Sequence, residues 1–161
     1  MVPSSILVPT DGSGPAKAAE VFAAELAGLM GNAEVRLINV IPMTCVGDIV
    51  DYTAENVVKI KGLNYRACTL EESEAAQRVL EAAAERVKSV AGPGVEVSTK
   101  VVEAPSPAGA IVEEAQSERA CGLIVMGNRG LGGFGSLVLG SVSTQVLHGA
   151  QCPVAIVKEE A

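Results

Sequence analysis

Residues 121–130, CGLIVMGNRG, carry the reading that decides the fold. Leu123 to Met126 are apolar without alternation, so both faces of this stretch require burial. Such runs belong to the centre of a parallel sheet covered on both sides. Gly127 ends the run, and a long glycine-rich loop follows before the next helical pattern. A buried strand that hands over to a loop and a helix is half of a βαβ unit.

The same grammar extends outward in both directions. SSILVPTDGSG (4–14) reads as a short buried strand ending at Pro9-Thr10-Asp11, then a turn. Ser13 is a candidate N-cap with Pro15 in the first helical turn, and Gly31-Asn32 stops that helix after about Met30. Phe22, Leu26, Leu29 and Met30 share one helical face and are its expected contact surface. AEVRLINVIP (33–42) is a second strand ended by Pro42. Residues 69–94 form the clearest helix: Thr69 and Glu72 fit a capping box, Leu70, Val79, Leu80 and Val87 supply apolar surface, and Gly92-Pro93-Gly94 ends it.

VEVSTKVV (95–102) alternates apolar and polar residues, as an edge strand with one wet face does. A helix with Ser106 as N-cap and Pro107 at its first position leads to the opening stretch. SVSTQVLHGA (141–150) is a last helix and CPVAIVK (152–158) a fifth strand. Residues 43–68 fit this alternation less well. Ile49, Val57 and Ile60 have partial helical spacing before Gly62, so a short helix is expected there. The alternation predicts an α/β fold: one doubly wound domain over residues 1–161, a five-stranded parallel sheet with helices on both faces. Ligands of such sheets sit at the carboxyl ends of the strands, at the topological switch point.

Composition narrows the function. The chain has 161 residues, a net charge of −7 and four aromatic side chains (two Tyr, two Phe), so the core is aliphatic. No Lys/Arg-rich run offers a generic surface for nucleic acid or anionic membrane. Cys45, Cys68, Cys121 and Cys152 form no C-x-x-C pair, and His148 is the one histidine, which disfavours a structural zinc site. The opening MVPSSILVPTDGS has no basic start and apolar signal segment. The stretch 131–157 lacks Asp, Glu, Lys and Arg, but Gly, Pro, Ser, Thr and Gln interrupt it too often for a membrane span. Free thiols and a cytoplasmic protein are the expectation.

Three phosphate motifs can be tested against the glycine loop. A P-loop needs a Gly-Lys-Ser/Thr ending, and no lysine lies in the loop. GLGGFG (130–135) matches G-x-G-x-x-G, but it follows the fourth strand, and no acid stands near residue 150 to hold a ribose. The third spacing is Gly127-x2-Gly130-x9-Gly140-Ser141. It places a glycine turn at a strand end and a glycine-serine pair at a helix start, whose first amides (Ser141, Val142, Ser143) attract anions. Ser141 and Ser143 hydroxyls add donors, Gly127 and Gly130 allow close approach, and Arg129 is a fork donor for phosphate. On spacing alone, this reading and a glycine-rich surface loop with a capped helix stand even.

PTDGS (9–13), GNRGLGGFGSLVLGSVS (127–143) and CPVAIV (152–157) together resemble the universal stress protein family, across essentially the whole chain. The G-2x-G-9x-G-[ST] spacing resembles that of the family's ATP-binding branch. The resemblance implies a sheet order 3-2-1-4-5 and an adenine nucleotide ligand, ATP, with Mg²⁺ as a candidate companion. It implies that Pro9, Thr10 and Asp11 line the nucleoside, with Asp11 facing ribose hydroxyls or magnesium. Val40 resembles the adenine contact and Met126 lines the same pocket. Gly127, Arg129, Gly130, Gly140, Ser141, Val142 and Ser143 match the triphosphate loop. Strand pairing across a two-fold axis in the family implies a homodimer through Val154 to Val157, since an exposed apolar edge needs cover.

No catalytic constellation stands out, and His148 near a helix end has a packing or capping role by default. A nucleotide-dependent sensor or switch therefore ranks first. A slow ATPase or autophosphorylating protein ranks second, and a nucleotide-free dimeric scaffold third. Cys45 and Cys68, flanking residues 43–68, are read as two free thiols rather than a redox pair.

Overall fold

The computed structural model describes residues 3–47, 56–117, 119–131 and 139–160. In chain order the elements are β1 (Ser5–Pro9), α1 (Gly14–Met30), β2 (Glu34–Pro42), β3 (Thr44–Cys45), β4 (Val57–Ile60), β5 (Leu63–Arg66), α2 (Leu70–Ala91), β6 (Glu96–Ala104), α3 (Pro107–Ala115), β7 (Leu123–Gly127), α4 (Ser141–Gly149) and β8 (Val154–Val157). The main sheet runs β6-β2-β1-β7-β8, with every pairing parallel. Counting only its own strands, that order is 3-2-1-4-5, as the resemblance implies. The chain reverses its direction of travel between β1 and β7, and the crevice at that reversal is where a ligand fits.

The caps sit where side-chain chemistry puts them. Ser13 and Ser106 accept from backbone amides of their first turns, with Pro15 and Pro107 just inside. The Thr69–Glu72 capping box is formed from both sides.

Each face of the sheet has its own core. On one face, α1 and α2 cover Ile6, Val8, Val35, Leu37 and Val125. On the other, α3 and α4 cover Leu7, Ile38, Ile124 and Met126. The contact face of α1 differs from the sequence expectation. Ala16, Ala19, Ala23, Ala24 and Ala27 are buried, whereas Phe22 and Leu29 are exposed and Leu26 and Met30 pack only partly. Across the interface, α2 presents Ala76, Ala83 and Ala84 beside Leu80 and Val87. Small side chains let helix backbones approach closely, so the buried stripe follows alanine rather than bulk. Leu70 of α2 is also exposed, at its first turn.

The short helix expected within residues 43–68 is not formed by the described residues. β3, β5 and β4 make a separate antiparallel sheet. β4 and β5 are joined by Lys61 (φ 50°) and Gly62 (φ 82°). Two consecutive left-handed residues are what a tight two-residue hairpin requires. Val57 and Ile60, three apart as in a helix, are the first and last residues of β4 instead. Ile49, the third residue of that pattern, lies outside the described residues.

Candidate functional site

A cavity of about 630 Å³ opens at the carboxyl edge of the main sheet, at the β1–β7 reversal. Its size suits a small organic ligand such as a nucleotide. Pro9, Thr10 and Asp11 line it from the end of β1, and Val40 from the end of β2. Met126, Gly127, Arg129 and Gly130 line it from the end of β7, and Gly140, Ser141, Val142 and Ser143 from the start of α4. Every residue singled out in the sequence therefore meets at one cavity. Ile38, Pro42, Pro107 and Ile111 complete an apolar wall that sequence spacing did not point to.

The apolar end offers backbone as its polar edge. Along β2 the main-chain groups alternate between neighbouring strands. Glu34 N–H donates to the Ser4 carbonyl and Thr10 N–H donates to the Ile38 carbonyl, each 2.9 Å, so even positions face β1. Pairing with β1 ends at Pro9 opposite Ile38. The same alternation turns the N–H and C=O of Val40 to the side that β1 has vacated. A donor and an acceptor on one apolar wall match the edge of a purine base.

At the other end, Gly140 is the N-cap of α4 and supplies no side-chain cap bond. The first-turn amides of Ser141, Val142 and Ser143 thus meet the cavity with the helix dipole behind them. Two hydrogen bonds fix this helix start against β7: Gly140 N–H donates to the Asn128 carbonyl (2.7 Å), and the Ser143 hydroxyl to the Gly127 carbonyl (3.0 Å). The Ser143 hydroxyl proton is therefore spent inside the protein. What this residue offers an anion is its amide.

The glycines serve packing as much as ligand approach. A Cβ at Gly127 would stand 2.8 Å from the backbone carbon of Pro15, inside α1. A Cβ at Gly130 would stand 2.5 Å from an Asp11 carboxylate oxygen, a softer obstacle. Asp11 in turn ties two loops: Oδ1 accepts from Ser13 N–H (2.9 Å) and Oδ2 from Leu131 N–H (3.0 Å). The carboxylate thus holds the β1 turn against the start of the glycine loop. The carboxylate also lines the cavity. Among the described residues no cluster of three or more His, Cys, Asp or Glu could hold a metal by itself.

Thr10 has a second-layer partner that sequence reasoning missed. Its hydroxyl donates to the carboxylate of Glu20, which is fully buried on the alanine face of α1 and ion-paired with Arg86 of α2. Asn39 donates to the Thr10 carbonyl at 2.9 Å. This network pins the end of β1 to α1, α2 and β2. An acid at position 20, one helical turn from Ala16 on the buried stripe, was the available signal.

A second cavity, about 470 Å³, lies over β2 and β6 beside Arg36, Lys100 and Arg119. Those cations are already committed, Arg36 and Lys100 to Glu114 and Arg119 to Glu34. Burial works to raise the Glu114 carboxyl, but Lys100 and Arg36 outweigh it and hold the group below the usual range.

The fold and cavity define a doubly wound α/β protein with an open cavity at its switch point. The chain belongs to the universal stress protein family, whose pattern it matches over residues 4–158. It is 34% identical over 155 residues to universal stress protein MJ0531 of Methanocaldococcus jannaschii, spanning 96% of this chain and 81% of that one. A universal stress protein of Thermus aquaticus is 45% identical over 86 residues, 53% of this chain and 62% of the relative. The chain spans less than two thirds of that relative's length and 47% of one from Mycolicibacterium smegmatis. Among solved structures, protein MJ0577 superposes with a TM-score of 0.72 at 25% identity, covering 99% of both chains. The universal stress protein from Archaeoglobus fulgidus in complex with dAMP superposes with a TM-score of 0.67 at 25% identity, covering 98% of this chain and all of that one.

Proposed function

We propose that this chain is an ATP-binding universal stress protein, one domain over residues 1–161, acting as a nucleotide-dependent sensor or switch. The observation that carries the reading is the meeting of two complementary half-sites in one cavity. The apolar wall with the Val40 backbone edge takes adenine, and the uncapped start of α4 with Arg129 takes the phosphates. Pro9, Thr10 and Asp11 lie between them against the ribose, and Mg²⁺ accompanies the phosphates beside Asp11. The dAMP complex of the Archaeoglobus protein supports an adenine nucleotide as ligand class.

Binding rather than efficient turnover fits the lining. Among the described residues, Asp11 is its one acid and no histidine lines it. Both Asp11 oxygens already accept backbone amides, which leaves a poor base for activating water. Slow hydrolysis or autophosphorylation is the second reading, and a nucleotide-free scaffold the third.

The protein acts as a homodimer through β8. Among the described residues that strand pairs with β7 alone, and Val154 to Val157 are only half buried. A partner's β8 across a two-fold axis would cover this apolar edge. The free cysteines suit the cytoplasm. No helix among the described residues is long and apolar enough to cross a membrane.

Calorimetric titration with Mg-ATP tests the reading, with phosphate release measured on the same samples. Saturable binding at one site per chain with negligible turnover is expected. No heat and no thermal shift would leave the scaffold reading. Turnover abolished by both Asp11→Ala and Arg129→Ala would replace the sensor by an enzyme. Sedimentation should give a dimer at micromolar concentration, and a monomer there would remove the β8 interface.

A further inference from the structure

Two thiols meet at the end of the sheet opposite the nucleotide cavity. Cys121 precedes β7 and Cys152 precedes β8, and these strands are parallel neighbours with Ile124 opposite Val154. The register brings the two Sγ atoms to 3.7 Å. Both pack on the α3–α4 face of the core, Cys121 buried and Cys152 half-buried. A disulfide requires a sulfur separation of about 2.05 Å, so closure is a side-chain movement of under about 2 Å.

We propose that Cys121 and Cys152 form an oxidisable dithiol that a peroxide converts into an intrachain disulfide. Cys152, the more accessible sulfur, meets the peroxide. Its thiolate attacks one peroxide oxygen, the O–O bond breaks, and the departing hydroxide takes up a proton as water. Cys152 is then a sulfenic acid. The Cys121 sulfur attacks the Cys152 sulfur, the S–O bond breaks, and the hydroxyl leaves with the Cys121 proton as a second water. Two thiols are oxidised by two electrons in all, and one peroxide is reduced to two waters.

The environments of the two sulfurs fit this division of roles. Burial, then the neighbouring Cys152 sulfur, push the Cys121 thiol up to about 12. A thiol so reluctant to ionise makes a slow first attacker, and it sits in contact with the sulfur it would resolve. The bond would close a ring from residue 121 to 152, which contains the glycine loop and all of α4. Oxidation would therefore fasten together the two ends of the segment that presents the helix N-terminus. Exposed Cys45 is an internal control, as is Cys68, whose thiol is raised to about 11 chiefly by a hydrogen bond with Glu103.

The test uses the full-length protein, reduced, then exposed to hydrogen peroxide, alkylated and digested with trypsin without reductant. Peptides 120–129 and 130–158 should appear joined, and dithiothreitol should separate them. In Cys121→Ser, dimedone should trap a sulfenic acid at Cys152. In Cys152→Ser, oxidation at Cys121 should slow by roughly tenfold or more. Thiol loss confined to Cys45 or Cys68, without the 121–152 link in the wild-type chain, would overturn the proposal. Equal rates at Cys121 and Cys152 in the two variants would overturn the order of the steps.

Discussion

The two faces of the main sheet are built differently. One is sealed by α1 and α2, helices of 17 and 22 residues whose alanine stripes let them lie close. The other carries α3 and α4, nine residues each, which pack on residues of β1, β2, β7 and β8 but are too short to fill the ground beside Arg36 of β2 and Lys100 of β6. Both cavities open over residues of that thinner side, among them Ile38. The long-helix face supplies rigidity, and the short-helix face supplies room. The Thr10–Glu20–Arg86 network joins the two, because it anchors a cavity residue from the sealed side.

If that division holds, changes on the two faces should separate stability from binding. The largest effect is expected from Leu80→Ala, a fully buried α2 side chain. It should cost about 2–5 kcal/mol by urea denaturation and leave nucleotide affinity in the native state unchanged. Gly127→Ala comes next. Its methyl would press on the α1 backbone, so a loss of about 1–3 kcal/mol is expected. Unchanged stability with weakened binding would instead make Gly127 a ligand glycine alone. Arg129→Ala should reverse the pattern: affinity for Mg-ATP falls about tenfold, while the unfolding free energy in urea stays within roughly 0.5 kcal/mol of wild type.

The smallest effect concerns acid. Arg66, then the Thr69 amide, hold the Glu72 carboxyl down at about 2 from 4.5. A depressed carboxyl stabilises the fold above its unfolded value and loses that contribution as pH falls from about 4.5 toward 2. Glu114 shifts in the same direction. Glu72→Gln should flatten the acid limb of a pH–stability curve slightly, because the group is exposed. A wild-type limb in that variant would show that the pair does not act on stability.

Much of this was legible in the sequence, for identifiable reasons. Apolar runs, Ser and Thr caps, Pro at first turns and Gly stops are local signals, and together they marked the five main strands and the four helices of the described residues. Pro9, Thr10, Val40 and Met126 were reached only through the family resemblance. Four features depended on tertiary context. The hairpin at Lys61-Gly62 was hidden because Val57 and Ile60 mimic helical spacing and Lys-Gly is a weak turn signal. The buried face of α1 was hidden because closeness to α2 rewards alanine over Phe22 and Leu29. The Gly127 and Thr10 contacts run to α1, so spacing within the loop could not show that they serve packing. Cys121 and Cys152 are scattered in sequence, and only the adjacency of β7 and β8 brings them together.

Backbone amide chemical shifts recorded while Mg-ATP is added would show residue by residue which cavity takes the nucleotide. Saturable shifts are expected at Val40, Gly127 to Gly130 and Ser141 to Ser143, with Arg36, Lys100 and Arg119 unmoved. Shifts centred on those three cations, or none at millimolar nucleotide, would contradict it.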